Sequence, residues 1–370
     1  MKILIFEPDG SGHHLEYLSY IVDSLRERML YICTSRKNLK KIREHYPDCL
    51  LGKQNVSFVP DSKNILIRLC FLIKNLWEIR PCILFFPYGD AAVYFLPLVR
   101  FFYPFSNLTI QMIFLRGRFC PTVYPGFLSG LKKALIKVYT KLNLVQKLFI
   151  IDDLIYNALK REGLSGSAFV FLPDPMPDWN PISKEDARRK LNLPTEDKII
   201  LSFGSLSLRK GIGPLIEIIR QGMLPDNVKL LLAGQPDEYI GLLLDAANAE
   251  ISGFRDKVIL RTDFISKEDV PYYFFSADIV LANYHNHIGP SGVLLKAVAA
   301  KRPVIGPDFG WVGWALRRIN PDWIYDTKTK EAFEKKLLSL LALPSVDFNK
   351  GFDDERSVQK FKAIVRNSCR

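Results

Sequence analysis

Short apolar runs alternate with amphipathic stretches twice over in this chain, and no other feature constrains its fold more. "MKILIFEP" is a strand, followed by a glycine turn, a helical pattern from about His13 to Met29, and the strand "LYICTS". "KLFIIDD" and "DLIYNALKREG" repeat the pair further on, before the four prolines of "AFVFLPDPMPDWNP" break the pattern. It resumes after "SKEDARRKL", where Ser183 and Asp186 have capping-box spacing, with "KIILSFGS", "VKLLLAG", "VILRTDF", "DIVLANY" and "PVIG". Strand–helix alternation predicts parallel sheets covered by helices on both faces. A chain of 370 residues exceeds one compact core. The expectation is therefore an α/β protein of two Rossmann-like, doubly wound parallel-sheet domains facing across a cleft. The first spans residues 1–172 and the second 199–345, with a linker at 173–198. Residues 346–370 form a helical tail that packs back on the first domain.

Charge separates the halves. Of the formal +12, the segment Lys63–Lys147 supplies +10, from twelve Lys or Arg against Glu78 and Asp90. The same segment holds "CILFFPYGDAAVYFLPLVRFFYPF", but charges and prolines interrupt each apolar run before the ~18–20 residues that span a bilayer. "GFLSGLKKALIKVYTKLNLVQKLFI" sets lysines among leucines at roughly helical spacing, the pattern of a basic amphipathic helix attracted to anionic lipid. An ordinary surface helix with a buried apolar stripe fits the same letters. No nucleic-acid recognition motif accompanies the basic segment, so an anionic membrane surface is the expected partner and nucleic acid is not. The cysteines at 33, 49, 70, 82, 120 and 369 contain no C-x-x-C pair, which argues against a zinc site and a disulfide framework and fits a cytoplasmic, reducing setting.

The chemistry lies in glycine loops. After the first strand comes "EPDGSGHHLEYLSY"; Gly10 and Gly12 begin a dinucleotide fingerprint, but Leu15 stands at the third glycine position. The second strand ends "CTSRK", without the acidic residue that holds a ribose hydroxyl, which argues against a nicotinamide dehydrogenase. His13 precedes Glu16, Tyr17 and Tyr20 on one helical face, and a helix N-terminus keeps an imidazole neutral and available as a base. In the second half, "LSFGSLSLRKGIGPL" brings Arg209 and Lys210 before a helix, a fork and a point charge suited to a diphosphate. "NYHNHIGPSGVLLKAVAAKRPVIGPDFG" opens another helix at "GPSG", where glycines admit a phosphate and Ser291 caps. Two patterns carry less. "IDD" at Ile151–Asp153 reads as a helix cap, and His285 with His287 lack a carboxylate or thiolate partner for a metal.

From "LPDPMPD" through "GPSGVLLKAVAAKRPVIGPDFGWVG", roughly Phe171 to Gly313, the sequence resembles the C-terminal half of family-four glycosyltransferases, which have the GT-B fold. The resemblance implies that the second domain binds a nucleotide-diphospho-sugar and the first an acceptor. It places Lys210 on the diphosphate, the loop Gly289, Ser291, Gly292 and Val293 against it, and Asp263 of "RTDF" near the base. Three positions depart from the family pattern. Ser205 stands where an Arg follows the strand glycine, and Ile288 and Lys296 stand where two glutamates contact sugar and ribose. An ammonium only donates hydrogen bonds, so Lys296 is expected to add positive charge near the diphosphate. "GSGHH" is also similar to the first loop of inverting GT-B enzymes, which implies His13 as base with Asp9 or Glu16 as orienter or substitute, and Gly10 and Gly12 as donor contacts. The implied protein is a metal-independent glycosyltransferase without a cofactor. It would act at the cytoplasmic membrane face on a glycan or lipid-linked acceptor in surface polysaccharide or glycoconjugate assembly. The alternative is a catalytically silent member that binds nucleotide sugar or glycan beside a partner enzyme.

Overall fold

A computed structural model describes the chain except residues 11–13, 46–54, 63, 106, 116, 165, 264, 330, 343–351, 353, 354 and 370. It divides into two units: Met1–Asp174 with Val358–Arg370, and Pro175–Ser357.

The first unit holds seven strands: β1 (Lys2–Glu7), β2 (Met29–Thr34), β3 (Asn55–Phe58), β4 (Ile83–Phe86), β5 (Thr109–Phe114), β6 (Lys147–Ile150) and β7 (Phe169–Phe171). They form one sheet in the order β3-β2-β1-β4-β5-β6-β7, and every pairing is parallel. β1 shows why its sequence is apolar at every position. Ile3 and Ile5 enter the core on one face of the sheet, while Leu4 and Phe6 enter the core on the other. A strand covered on both sides has no polar face to alternate with. Strands β4 and β5 and the helices Gly89–Ala92 and Leu96–Phe102 occupy the aromatic, basic stretch where sequence periodicity marks no element. There the strands are only four to six residues long.

The helix Val358–Ser368 belongs to this unit. Phe361 and Val365 enter the Ile3/Ile5 core, and Phe361 packs its ring 5.8 Å from both Tyr17 and Tyr20. Residues up to Ser357 belong instead to the second unit, so the tail that joins the first begins at Val358 rather than at 346.

The second unit has β8 (Lys198–Phe203), β9 (Val228–Ala233), β10 (Val258–Arg261), β11 (Ile279–Leu281), β12 (Val304–Pro307) and β13 (Ile324–Tyr325), again all parallel, in the order β10-β9-β8-β11-β12-β13. Residues 175–198 are part of this unit, where a linker was expected. The reason is Arg188, 2% exposed, on the helix Lys184–Lys190. It donates to Ser276 O at 3.1 Å, to Thr195 O at 2.5 Å and to Asp278 Oδ2 at 2.6 Å. The same carboxylate accepts from Ile199 N at 2.7 Å, tying the helix to the start of β8. Ser183 caps that helix, its Oγ accepting from Asp186 N, as the capping-box spacing predicted.

Both sheets reverse their strand order once, between β1 and β4 and between β8 and β11. In open parallel sheets such reversals leave a crevice beyond the carboxyl ends of the strands, where ligands bind.

Candidate functional site

At the β8/β11 reversal, two loops interlock. Leu208–Lys210 is a 3-10 turn that hands over at Gly211 to the helix Ile212–Arg220. Gly211 has φ 66°, and a Cβ there would lie 2.4 Å from Asn283 Nδ2, so only glycine fits both the turn and the neighbouring loop. From the other side, His285 N donates to Arg209 O at 2.9 Å. Asn283 is held by the Tyr325 hydroxyl, which donates to its Oδ1.

The two cations share one ring. Arg209 Cζ lies 5.3 Å and Lys210 Nζ 5.0 Å from the centroid of Tyr284. Lys210 is 6% exposed and donates to Phe203 O; an ammonium has three N–H groups, so this bond occupies one. Ser291, buried, caps the helix Gly292–Ala299: its Oγ accepts from Leu294 N at 3.2 Å and donates to Tyr284 OH at 3.0 Å. Tyr284 thus connects the cation pair to a helix N-terminus. Backbone N–H groups of a first turn lack intrahelical partners, so this corner of the unit concentrates positive potential.

His287 contributes through hydrogen bonds. Its Nε2 lies 3.0 Å from Pro290 O and its Nδ1 3.2 Å from Arg209 Nη1. A carbonyl only accepts and a guanidinium only donates, so Nε2 carries the proton and Nδ1 accepts from Arg209. Burial pushes the imidazole below its usual value of 6.5, and the Arg209 and Lys210 charges act in the same direction. Neutral His287 therefore orients the Arg209 fork. Sequence reading weighed His287 only as a metal ligand; the usable signal was its place, four residues before the "SG" cap, opposite two cations.

The remaining predicted residues of this unit scatter along the carboxyl edge of the sheet. Ser205 is exposed directly after β8, and Gly289 is buried before the cap. Gly292 and Val293 form the first turn of the capped helix. Lys296, half-buried, stands one turn further along that eight-residue helix and makes no ion pair among the described residues. Asp263 is exposed beyond β10, with β9 between it and β8. The structure brings Arg209, Lys210 and Ser291 around Tyr284, whereas Asp263 stays apart from them.

In the first unit the reversal between β1 and β4 carries different chemistry. His13 and Gly12, the expected base and one expected donor contact, lie outside the described residues. The neighbouring His14 begins the helix His14–Ser24, its Nδ1 is 3.3 Å from Glu7 Oε1, and its ring centroid lies 4.5 Å from that of Tyr88, the planes tilted by 55°. The carboxylate beside His14 is Glu7, at the end of β1. Asp9 accepts a two-pronged bond from Arg68, with both N–O distances 3.1 Å. Glu16 Oε1 accepts from Tyr20 OH at 3.0 Å. Gly10 packs against Asn38, where a Cβ would lie 2.0 Å from Oδ1; Asn38 Nδ2 in turn donates to Pro8 O, so Gly10 shapes the loop. Glu7 is 1% exposed and burial raises its carboxyl above the usual 4.5, although His14 and the Asp9 N–H oppose this. Sequence reading passed over Glu7 because it reads as the last letter of an apolar strand.

The lysines of the helix Phe127–Lys141 are not all on the solvent face, contrary to the basic amphipathic pattern. Lys132 is buried, 3.3 Å from Asp90 Oδ1 and 5.3 Å from the Phe114 centroid, and Lys133 pairs with Glu162. Outward instead are Phe127 at 84% exposure, Leu128 and Leu131, beside the exposed Lys137 and Lys141. Among the described residues no three His, Cys, Asp or Glu side chains are grouped as a metal site, and no helix is long and apolar enough to cross a membrane.

Two parallel-sheet α/β units of this kind match the fold of GT-B glycosyltransferases. Residues 183–354 match the family model Glycosyl transferases group 1, so this part of the chain is homologous to glycosyltransferases. The chain is 26% identical over 196 residues to an uncharacterized glycosyltransferase, MJ1607, of Methanocaldococcus jannaschii. That alignment covers 45% of this chain and 48% of that protein, so the chain spans about half the length of the curated relative it matches. Among solved structures, Anabaena Alr3699/HepE in complex with UDP shares the fold with TM-score 0.66 at 15% identity, covering 100% of this chain and 95% of that one. The apo lipopolysaccharide outer core galactosyltransferase WaaB gives TM-score 0.66 at 16% identity, covering 100% and 99%. A glycosyltransferase from Rickettsia africae gives 0.65 at 14%, covering 99% and 92%.

Proposed function

We propose that this protein transfers a sugar from a nucleotide-diphospho-sugar to a glycan or lipid-linked acceptor in surface polysaccharide or glycoconjugate assembly. The observation that supports it most is the meeting of Arg209, Lys210 and the Ser291-capped helix around Tyr284, within the residues that match the family model. When the bond to the sugar breaks, negative charge collects on the departing diphosphate. Two fixed cations and a helix N-terminus stabilise that charge without reorganising. The same groups do the work for which a metal would otherwise be needed. Because Alr3699/HepE was solved with UDP and with UDP-glucose, uridine diphosphate is the first donor fragment to test.

Lys210→Ala decides the matter. Loss of one charge-assisted hydrogen bond should weaken UDP binding by about 1.5–3 kcal/mol, read by calorimetry at a temperature where the variant is folded, because losing the buried bond to Phe203 O also lowers stability. Unchanged affinity in the variant would place the donor elsewhere.

The membrane side of the proposal rests on exposed apolar side chains beside free-standing charge. Phe127 and Leu128 on one helix, and Phe101 on another at 76% exposure, accompany the basic segment. Aromatic and leucine side chains entering the headgroup layer beside lysines form an interfacial anchor.

A further inference from the structure

The β1/β4 reversal encloses a cavity of about 230 Å³ in the first unit. An apolar cavity of ~150 Å³ already accepts a benzene ring. Its walls are mostly apolar, with Phe86, Phe95, Leu69 and Ile65 prominent, and Tyr88 and Glu7 also line it. The Arg68 guanidinium at its edge is neutralised by its two bonds to Asp9, so the cavity offers no uncompensated cation to a phosphate.

Glu7 is the singular group. One carboxyl oxygen, Oε1, is engaged by His14 at 3.3 Å and by the Asp9 N–H at 3.2 Å. The other, Oε2, is buried and has no hydrogen-bond partner. A buried acceptor left unsatisfied costs roughly 1–3 kcal/mol, more if charged, and native proteins rarely keep one without a use. Apolar walls around one unsatisfied acceptor, with the Asp9 carboxylate already held by Arg68, call for a ligand with an apolar body and one donor.

We propose that this cavity binds a hydroxyl-bearing apolar group, its ring or chain against Phe86, Phe95 and Leu69 and its hydroxyl donating to Glu7 Oε2. As a binding site the cavity stands by itself; naming the bound alcohol an acceptor rests on the transfer reading above. An apolar-bodied alcohol then defines the acceptor class, in contrast to a purely polar glycan.

The test uses the full chain and ligand-observed NMR with three probes: 2-phenylethanol, ethylbenzene and 2-phenylethylamine. The alcohol should bind about tenfold tighter than ethylbenzene, the value of one hydrogen bond to a charged or polar acceptor. Ala91 is exposed and lines the cavity, so Ala91→Trp should fill it and abolish alcohol binding while the protein stays folded. Glu7→Ala should bring alcohol and ethylbenzene to equal affinity. Absence of alcohol binding by the parent, equal binding of ethylbenzene, preference for the amine over the alcohol, or unchanged binding in Ala91→Trp would each overturn the proposal. The melting shift produced by UDP, measured on the same samples, reads the second unit separately. UDP without effect beside bound alcohol defeats the transfer reading alone, and the reverse result defeats the cavity alone.

Discussion

The two units share one topology and differ in what stands at the reversal of strand order. In the second unit the crevice is built from donors: an ammonium, a guanidinium oriented by neutral His287, and a capped helix N-terminus. In the first it is built from acceptors and apolar walls: Glu7, the Asp9 carboxylate satisfied by Arg68, and a ring of aromatics. A parallel sheet determines where a ligand sits but says little about its charge. The loops assign the chemistry, a cationic end for a diphosphate and an apolar end with one acceptor for a hydroxyl. The largest test of this contrast concerns charge that the first unit hides. Lys132 and Asp90 are a buried pair, and Asp90 also accepts from Leu115 N at 2.9 Å. Lys132→Ala should cost up to about 3–5 kcal/mol of unfolding free energy by chemical denaturation, because it removes the ammonium beside a buried carboxylate. Phe127→Ser should leave stability nearly unchanged and instead weaken co-sedimentation with acidic-lipid vesicles. If Lys132→Ala folds normally and loses only vesicle binding, the lysine faces lipid and the inward assignment fails.

A smaller effect is expected from reversing charge in the second unit. Lys296→Glu would place a carboxylate one turn inside the helix that Ser291 caps. Like charges at that range cost on the order of 1–4 kcal/mol at the effective dielectric near a protein surface. UDP affinity should fall while uridine affinity changes less. Should Lys296→Ala bind UDP as the parent does, Lys296 contributes no potential to the site and the contrast narrows to Arg209 and Lys210.

Much of this contrast was legible in the sequence, unevenly. The second unit could be read through because its strands are bounded by glycine turns and its cations sit in loops between them, as in "SFGSLSLRKGIG". The first unit resisted. β4, β5 and the intervening helices lie in a run of aromatics with no clear period, since strands buried on both faces and short helices share the same letters. Spacing also misjudged the helix Phe127–Lys141, because which lysine turns inward depends on Asp90 and Glu162, distant in sequence. The Glu7–His14 contact, seven residues apart, was invisible because neither strand nor helix periodicity relates the last residue of a strand to the first of the next helix.

Acid should distinguish the two units next. His287 has a folded-state value below its unfolded 6.5, so its contribution to stability is complete above about pH 6.5 and is lost as pH falls toward the lower, folded value. Protonation there sets a third cation beside Arg209 and Lys210. The melting temperature of the parent should therefore drop relative to His287→Gln as pH is lowered through 6.5. Parallel curves for parent and variant would show that His287 is not held neutral by its surroundings.

Glu7 carries the opposite sign, and the smallest effect. Its folded value lies above 4.5, chiefly through burial, so the folded state holds its proton more tightly than the unfolded chain. Stability from this group is fully present below pH 4.5 and declines as pH rises through the folded value. Glu7→Gln removes the ionisation and keeps an acceptor for His14 and the Asp9 N–H. The variant should gain on the parent in melting temperature between pH 4.5 and neutrality and show no advantage in stronger acid. Its amide nitrogen cannot accept from a hydroxyl, so the preference of the cavity for 2-phenylethanol over ethylbenzene should shrink in the same variant. A gain in stability coupled to a loss of discrimination is the mark of a group retained for binding at the expense of the fold. If Glu7→Gln is less stable than the parent at neutral pH, the ionised carboxylate is stabilised where it stands, and the account of its unsatisfied oxygen is wrong.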